Sequence, residues 1–224
     1  MSDHVPNASE PFDLRKVGLG AINAQLRTNE EASEAARIVG ASGQSGLATA
    51  IAQEIKVTVA GSVGSLFGML NAGGELEVAG DAGAACGHSM TAGGILVRGH
   101  AGAALGCFAR GGFIGVHGTA KDDCGLGLNG ADIVVRQTVG ARAAHGMRAG
   151  NLVLGSDAGA ELGKECVGGT IYLRGDASSI GPALREVRMR EPDAVRLGLL
   201  LVRAGIKGTA KDFRVYRPRT KAEE

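Results

Sequence analysis

The sequence predicts an all-β fold: a right-handed, single-stranded β-helix of about seven 19-residue turns with helical N- and C-terminal arms. Three observations carry the prediction. Gly61, Gly80, Gly99, Gly118, Gln137, Ser156 and Gly175 follow one another at a constant 19-residue step. Two aliphatic columns keep the same step: Val57, Leu76, Ile95, Ile114, Ile133, Leu152 and Ile171 stand four residues before that reference, and Val59, Val78, Val97, Val116, Val135, Leu154 and Leu173 two before. Two more glycine columns follow it. Gly64, Gly83, Gly102, Gly140 and Gly159 come three residues after, with Lys121 and Ser178 in the remaining places; Gly68, Gly87, Gly106, Gly125 and Gly163 come seven after, with Ala144 and Pro182. A fixed period of this length means one structural unit stacked on its own copies.

The columns justify each turn. Aliphatic residues two apart share one face of a strand, and that face is the interior. The glycines suit corners and close backbone approach, and they disfavour helix. Val63, Ala82, Ala101, Ala120, Val139, Ala158 and Ala177 supply small inward residues, while Phe67, Cys86, Leu105, Cys124, Ala143 and Leu162 form a second inward column. Each stacks on its counterpart about 4.8 Å above and below. Left-handed hexapeptide helices advance in sixes and calcium-binding rolls in nines, so a step of 19 reads as a right-handed β-helix.

Three segments result: a helical N-terminal arm and cap over 1–54, the β-helix over 55–187, and a C-terminal helix with a basic docking tail over 188–224. In the first, Arg15–Leu26 and Asn29–Val39 have helical composition, with Asn29 as a cap and Glu30, Glu31 and Glu34 following it. In the last, Pro192 and Asp193 open a helix that closes near Gly205, and Lys207, Lys211, Arg214, Arg217, Arg219 and Lys221 follow. The stretch Asp212–Arg219 reads as a docking strand, with Phe213, Val215 and Tyr216 among arginines. A solenoid end exposes backbone and apolar surface, so both arms read as caps.

Composition narrows the function. There are 24 basic and 23 acidic residues, two Tyr, five Phe and no Trp, which gives little basis for a nucleic-acid surface. The polar first 13 residues do not form a signal peptide, and no stretch reaches the roughly 20 apolar residues of a membrane span, so the expected location is cytoplasmic.

Candidate chemistry is sparse. Cys86, Cys107, Cys124 and Cys166 lack CxxC spacing, and Cys86 and Cys124 share an inward column two turns apart, beyond disulfide reach. They read as small buried thiols. His88, His100, His117 and His145 fall at mixed offsets, as surface or capping residues would. The pairs Gly73-Gly74 and Gly111-Gly112 are followed by strands, not by the helix that a phosphate loop requires. Two outward features stand apart: a basic ladder of Arg98, His117, Arg136 and Arg174, near Asp81, Asp157 and Asp176, and an apolar stripe of Leu96, Val134, Val153 and Tyr172. The ladder reads as a solvated, self-paired face. The stripe reads as covered by this chain's own terminal helix or by another subunit. Arg98, Arg136, Arg174, Tyr172, Phe213, Arg214, Tyr216 and Arg217 are the candidate interface residues; no catalytic, cofactor-binding or metal-binding residue is expected.

The segment Ala60-Gly61-Ser62-Val63-Gly64-Ser65-Leu66-Phe67-Gly68, then Gly80-Asp81-Ala82 through Gly87 and Met90 to Gly93-Gly94-Ile95-Leu96-Val97, resembles the C-terminal glycine-motif β-helix domain of the glutamate synthase large subunit. The resemblance covers roughly Ile22 to Val187 and is closest to free-standing GlxC-type chains, including the β-helix subunit of N-methylglutamate synthase. It implies a noncatalytic structural subunit. The implied partners are a class II glutamine amidotransferase-like subunit and a glutamate synthase-like flavoprotein that carries FMN and an iron–sulfur cluster. The β-helix subunit of formylmethanofuran dehydrogenase shares the repeat and is a second reading. A stand-alone carbohydrate-active β-helix enzyme is a third, supported only by the arginine ladder. The family pattern departs after Pro182, where the helix and basic tail are extra.

Overall fold

A computed structural model of the chain describes residues 11–28 and 35–219. In chain order the elements are β1 (Phe12–Asp13), α1 (Leu14–Val17), α2 (Leu19–Thr28), β2 (Ala36–Val39), β3 (Lys56–Val59), β4 (Ala72–Val78), β5 (Ala92–Val97), β6 (Phe113–Val116), β7 (Asn129–Val135), β8 (Ala149–Leu154), β9 (Thr170–Leu173), β10 (Leu184–Val187), α3 (Glu191–Ala204) and β11 (Arg214–Pro218). They form a β-solenoid of about seven turns. From β3 to β9 the parallel pairings keep the 19-residue register, as in Val57↔Leu76, Leu76↔Ile95 and Ile95↔Ile114, except at the starts of β4 and β7, where Ala72↔Ala92 and Asn129↔Ala149 are one residue out of step. A second wall is a ladder of single bridges through Val63, Ala82, Ala101, Ala120, Val139, Ala158 and Ala177. The inward columns at minus four, minus two and plus six are buried in one continuous core.

The third wall is a run of tight turns. In one coil Leu66, Gly68 and Leu70 all have positive φ, 63°, 64° and 58°, the left-handed conformation that ordinary residues adopt at a cost. Hydrogen bonding holds them there. The Leu66 and Leu70 amides donate forward to Ala84 and His88 carbonyls, while the Gly68 amide donates back to Leu47. A Cβ on Gly68 would point inward, 2.6 Å from Ile95 Cδ1, which is why glycine dominates that column. The column three after the reference has a different cause. A Cβ on Gly102 would lie 2.5 Å from the Ala84 backbone nitrogen, so these glycines allow successive coils to touch.

The N-terminal helices close one end of the core. Gly18, at φ 85°, separates α1 from α2, and α2 lays Ile22, Asn23 and Leu26 on the first coil. Asn23 replaces a missing strand: its Nδ2 donates to the Gly46 carbonyl at 2.7 Å and its Oδ1 accepts the Ala48 amide at 2.8 Å. Within the segment expected to be helical over Asn29–Val39, residues Ala36–Val39 are strand β2, parallel to β1 and β3. The physical reason is burial: Ala36 and Ile38 turn inward and continue the aliphatic columns, and helix would scatter them. The Asn29 cap and Glu30, Glu31 and Glu34 lie outside the described residues.

At the other end the sheet order is β9-β11-β10, so the stack does not simply continue. The tail strand β11 inserts antiparallel between β9 and β10. Helix α3 opens with Pro192 in its first turn and with the Asp193 carboxylate accepting the Arg190 amide, and it closes at Gly205, φ 66°.

Candidate interaction surface

The inward columns of the solenoid are filled by aliphatic side chains, Phe67 and the thiols of Cys86 and Cys124. Cys86 and Cys124 are fully buried, and burial pushes both up to about 12. Burial also raises the Cys107 and Cys166 thiols. All four are free. No group of three or more metal-ligating side chains occurs among the described residues.

One outer edge is a ladder in which side chains take over from backbone acceptors. Ser62 Oγ accepts the Asp81 amide, Asp81 Oδ1 accepts the His100 amide, and His100 Nδ1 accepts the Thr119 amide, at 3.0, 2.7 and 3.0 Å. Asp157 Oδ1 accepts the Asp176 amide in the same way at 2.8 Å. The acceptor role of His100 Nδ1 puts its ring hydrogen on Nε2. Asp81 and Asp157 therefore serve the backbone of the next coil, and the pairing within this face runs through another acid. Arg98 binds Glu77 at 2.8 Å instead. His117 Nε2 meets the Ala204 carbonyl at the end of α3, 2.8 Å away. Arg136 and Arg174 are exposed.

A second charged edge lies on the tight-turn wall. Arg142 binds Asp123 through paired contacts of 2.7 Å, Lys164 binds Glu161 at 2.7 Å, and His145 lies 3.2 Å from Glu165. The Arg142 guanidinium holds Asp123 below the usual carboxylate range, and Lys164 does the same for Glu161. Asp123, Arg142 and Glu161 occupy one column with positive φ throughout, 62°, 57° and 61°. Because no glycine marks that column, its backbone conformation was invisible in the sequence.

The apolar stripe is covered by the chain itself. Val134, Val153 and Tyr172, together with Phe113, pack under Leu197, Leu200, Leu201 and Ala204 of α3 and under Phe213 and Val215 of the tail. Leu96 is half-buried. The docking strand thus docks on its own solenoid. Tyr172 is 1% and Tyr216 3% exposed; burial raises both phenols. Arg214 pairs with Asp176 at 2.6 Å and also bonds the Gly175 carbonyl. Arg217 bonds Thr170 Oγ1 at 3.1 Å and pairs with the buried Asp193. Five of the candidate interface residues, Tyr172, Phe213, Arg214, Tyr216 and Arg217, therefore hold this chain's own tail in place.

One apolar face that stays open among the described residues is the outer side of α3. Val195, Leu199 and Val202 are exposed there, beside a shallow groove lined by Asp132, Glu191, Pro192, Arg196, Leu200 and Arg203. No helix among the described residues is long and apolar enough to cross a membrane. No protein-family model matches the chain, and a search of curated proteins finds no match.

Proposed function

We propose that this chain is a noncatalytic structural subunit of a glutamate synthase-like multi-subunit enzyme, N-methylglutamate synthase, which forms N-methylglutamate and ammonia from methylamine and glutamate. The observation that carries the proposal is the 19-residue register, in which the wording from Ala60 to Gly68 and from Gly80 to Val97 resembles the glycine-motif domain. The filled interior supports it, because a body whose columns are occupied by its own side chains acts through its surface. On this reading an amidotransferase-like subunit and a flavoprotein with FMN and an iron–sulfur cluster pack against it and perform the chemistry.

The test is co-expression with the products of the neighbouring genes, followed by purification and assay. The expected result is copurification with the flavoprotein, methylamine-dependent activity of the assembly, and none from the isolated chain. Turnover of methylamine by this chain alone would end the proposal. Assembly with a molybdenum or tungsten enzyme would instead establish the formylmethanofuran reading, which rests on the same repeat.

A further inference from the structure

Helix α3 has two apolar faces, and the chain uses one. With about 100° between successive residues, Leu197, Leu200, Leu201 and Ala204 point at the solenoid, while Val195, Leu199 and Val202 fall together on the opposite side. These three are 58%, 66% and 79% exposed, a contiguous stripe at helical spacing rather than scattered surface apolar residues. One flank carries Arg196 and Arg203: Arg196 has no ion-pair partner among the described residues, and Arg203 lies over the Phe113 ring, 4.5 Å from its centroid, reaching Glu75 only at 3.6 Å, while Asp132 and Glu191 line the same groove without an ion pair to either arginine. The other flank carries Gly198, where an added Cβ would have nothing within 4 Å. A glycine inside a helix costs about 1 kcal/mol relative to alanine. Among the described residues nothing packs into the space it leaves.

We infer that the outer face of α3 is a docking site for an amphipathic helix of another protein, with apolar residues seated on Val195, Leu199 and Val202 and carboxylates facing Arg196 and Arg203. The open side at Gly198 lets the two backbones approach closely. Charge selects against a second copy of this chain, because an antiparallel α3–α3 pair centred on Leu199 would set Arg196 against Arg203 of the other copy. The inference deepens the proposed function by naming a surface and a partner chemistry, and it rests on that reading for the identity of the partner.

Two arms test it separately. In the first, a stapled three-heptad helix with leucine at its core positions and glutamate on its flanks is titrated into the full chain by fluorescence anisotropy, against a twin with lysine flanks. The glutamate helix should bind about tenfold or more tighter, Leu199→Glu should abolish binding, and Arg196→Glu with Arg203→Glu should reverse the preference. Circular dichroism of each variant checks that the fold is intact. Equal binding of the twins, or none, overturns the inference. So does a wild-type dimer in sedimentation that Leu199→Glu dissolves. In the second arm, a photo-crosslinker replaces Leu199 in the co-expressed assembly. Crosslinks to an acid-flanked helix of a partner support the docking site, and an assembly that forms without crosslinks from this position overturns it. If no assembly forms, the proposed function fails, and the peptide titration alone decides the docking site.

Discussion

Gly102→Ala measures what holds the coils at contact distance. The added methyl would lie 2.5 Å from Ala84 N and 2.6 Å from Gly83 C. Ordinary contact begins at 3.4 Å, so the two coils must separate by about 0.9 Å. The Gly102 amide now reaches the Ala82 carbonyl at 2.9 Å, and that displacement breaks the bond. Stranding one or two backbone groups costs about 1–3 kcal/mol each, and overpacking in other cores costs a similar amount. A loss of about 3 kcal/mol corresponds to a fall of roughly 6–12 °C in melting temperature for a domain of this size. Lys121 and Ser178 occupy the same column naturally and keep their ladder bonds, at 3.2 Å to Ala101 and 3.0 Å to Ala158, so those two coils accommodate a Cβ and the variant asks whether the coil at Gly102 can. Gly198→Ala is the matched control: its methyl meets nothing within 4 Å, and it should stabilise by about 0.5–1 kcal/mol through helix propensity. Calorimetry and urea melts of the two variants should move in opposite directions. If Gly102→Ala melts within about 1 °C of the parent, close coil contact is not what glycine provides in this column.

Other outcomes follow from the same geometry. Asn23→Ala should destabilise by about 2–4 kcal/mol, since it strands the Gly46 carbonyl and the Ala48 amide beneath α2; unchanged hydrogen exchange at Ala48 would contradict this. All four thiols should resist a thiol reagent at about pH 8 until the protein unfolds, with Cys86 and Cys124 pushed up to about 12 by burial; rapid labelling of the native protein would refute it. Asp13, held at about 2 by the Arg15 side chain, joins Asp123, Glu161 and Asp212 as carboxyls more acidic than usual. Groups with depressed folded pKa values favour the folded state above their unfolded values near about 4 and lose that effect as pH falls through the folded ones. Melting temperature should therefore hold level down to about pH 5 and drop below about pH 4, with a smaller drop in Arg142→Ala. A rise on acidification would contradict the assignment.

The sequence was most legible where one physical demand repeats. Val57 through Ile171 must all face inward, and a period of 19 states that demand seven times. Single events were harder to see. Ala36–Val39 reads as helix by composition, yet two buried side chains, Ala36 and Ile38, commit it to the sheet. Leu66 and Arg142 adopt left-handed backbone without a glycine to announce it, because the cost is met by amides bonded to neighbouring coils. The docking character of Asp212–Arg219 was visible in its alternation of aromatic and basic residues. Its target was not, since Arg214 meets Leu173 across 41 residues and no local pattern encodes that pairing. The surface of α3 was half legible: its helix and caps were, but the division into a covered and an open face requires knowing which side the solenoid occupies.

The reversed strand at the C-terminal end also governs when the molecule is finished. Until Arg214–Pro218 have left the ribosome, β9 offers a free edge with the shape of every coil before it, open to a stray strand from another nascent chain. Once β11 lies across that edge in the opposite direction, the next layer is already occupied by a strand of the wrong polarity for another coil. A repeat that could in principle lengthen without limit is thereby interrupted after β9 by a reversed strand, and β10, which again runs in the direction of the coils, is left as the outer edge.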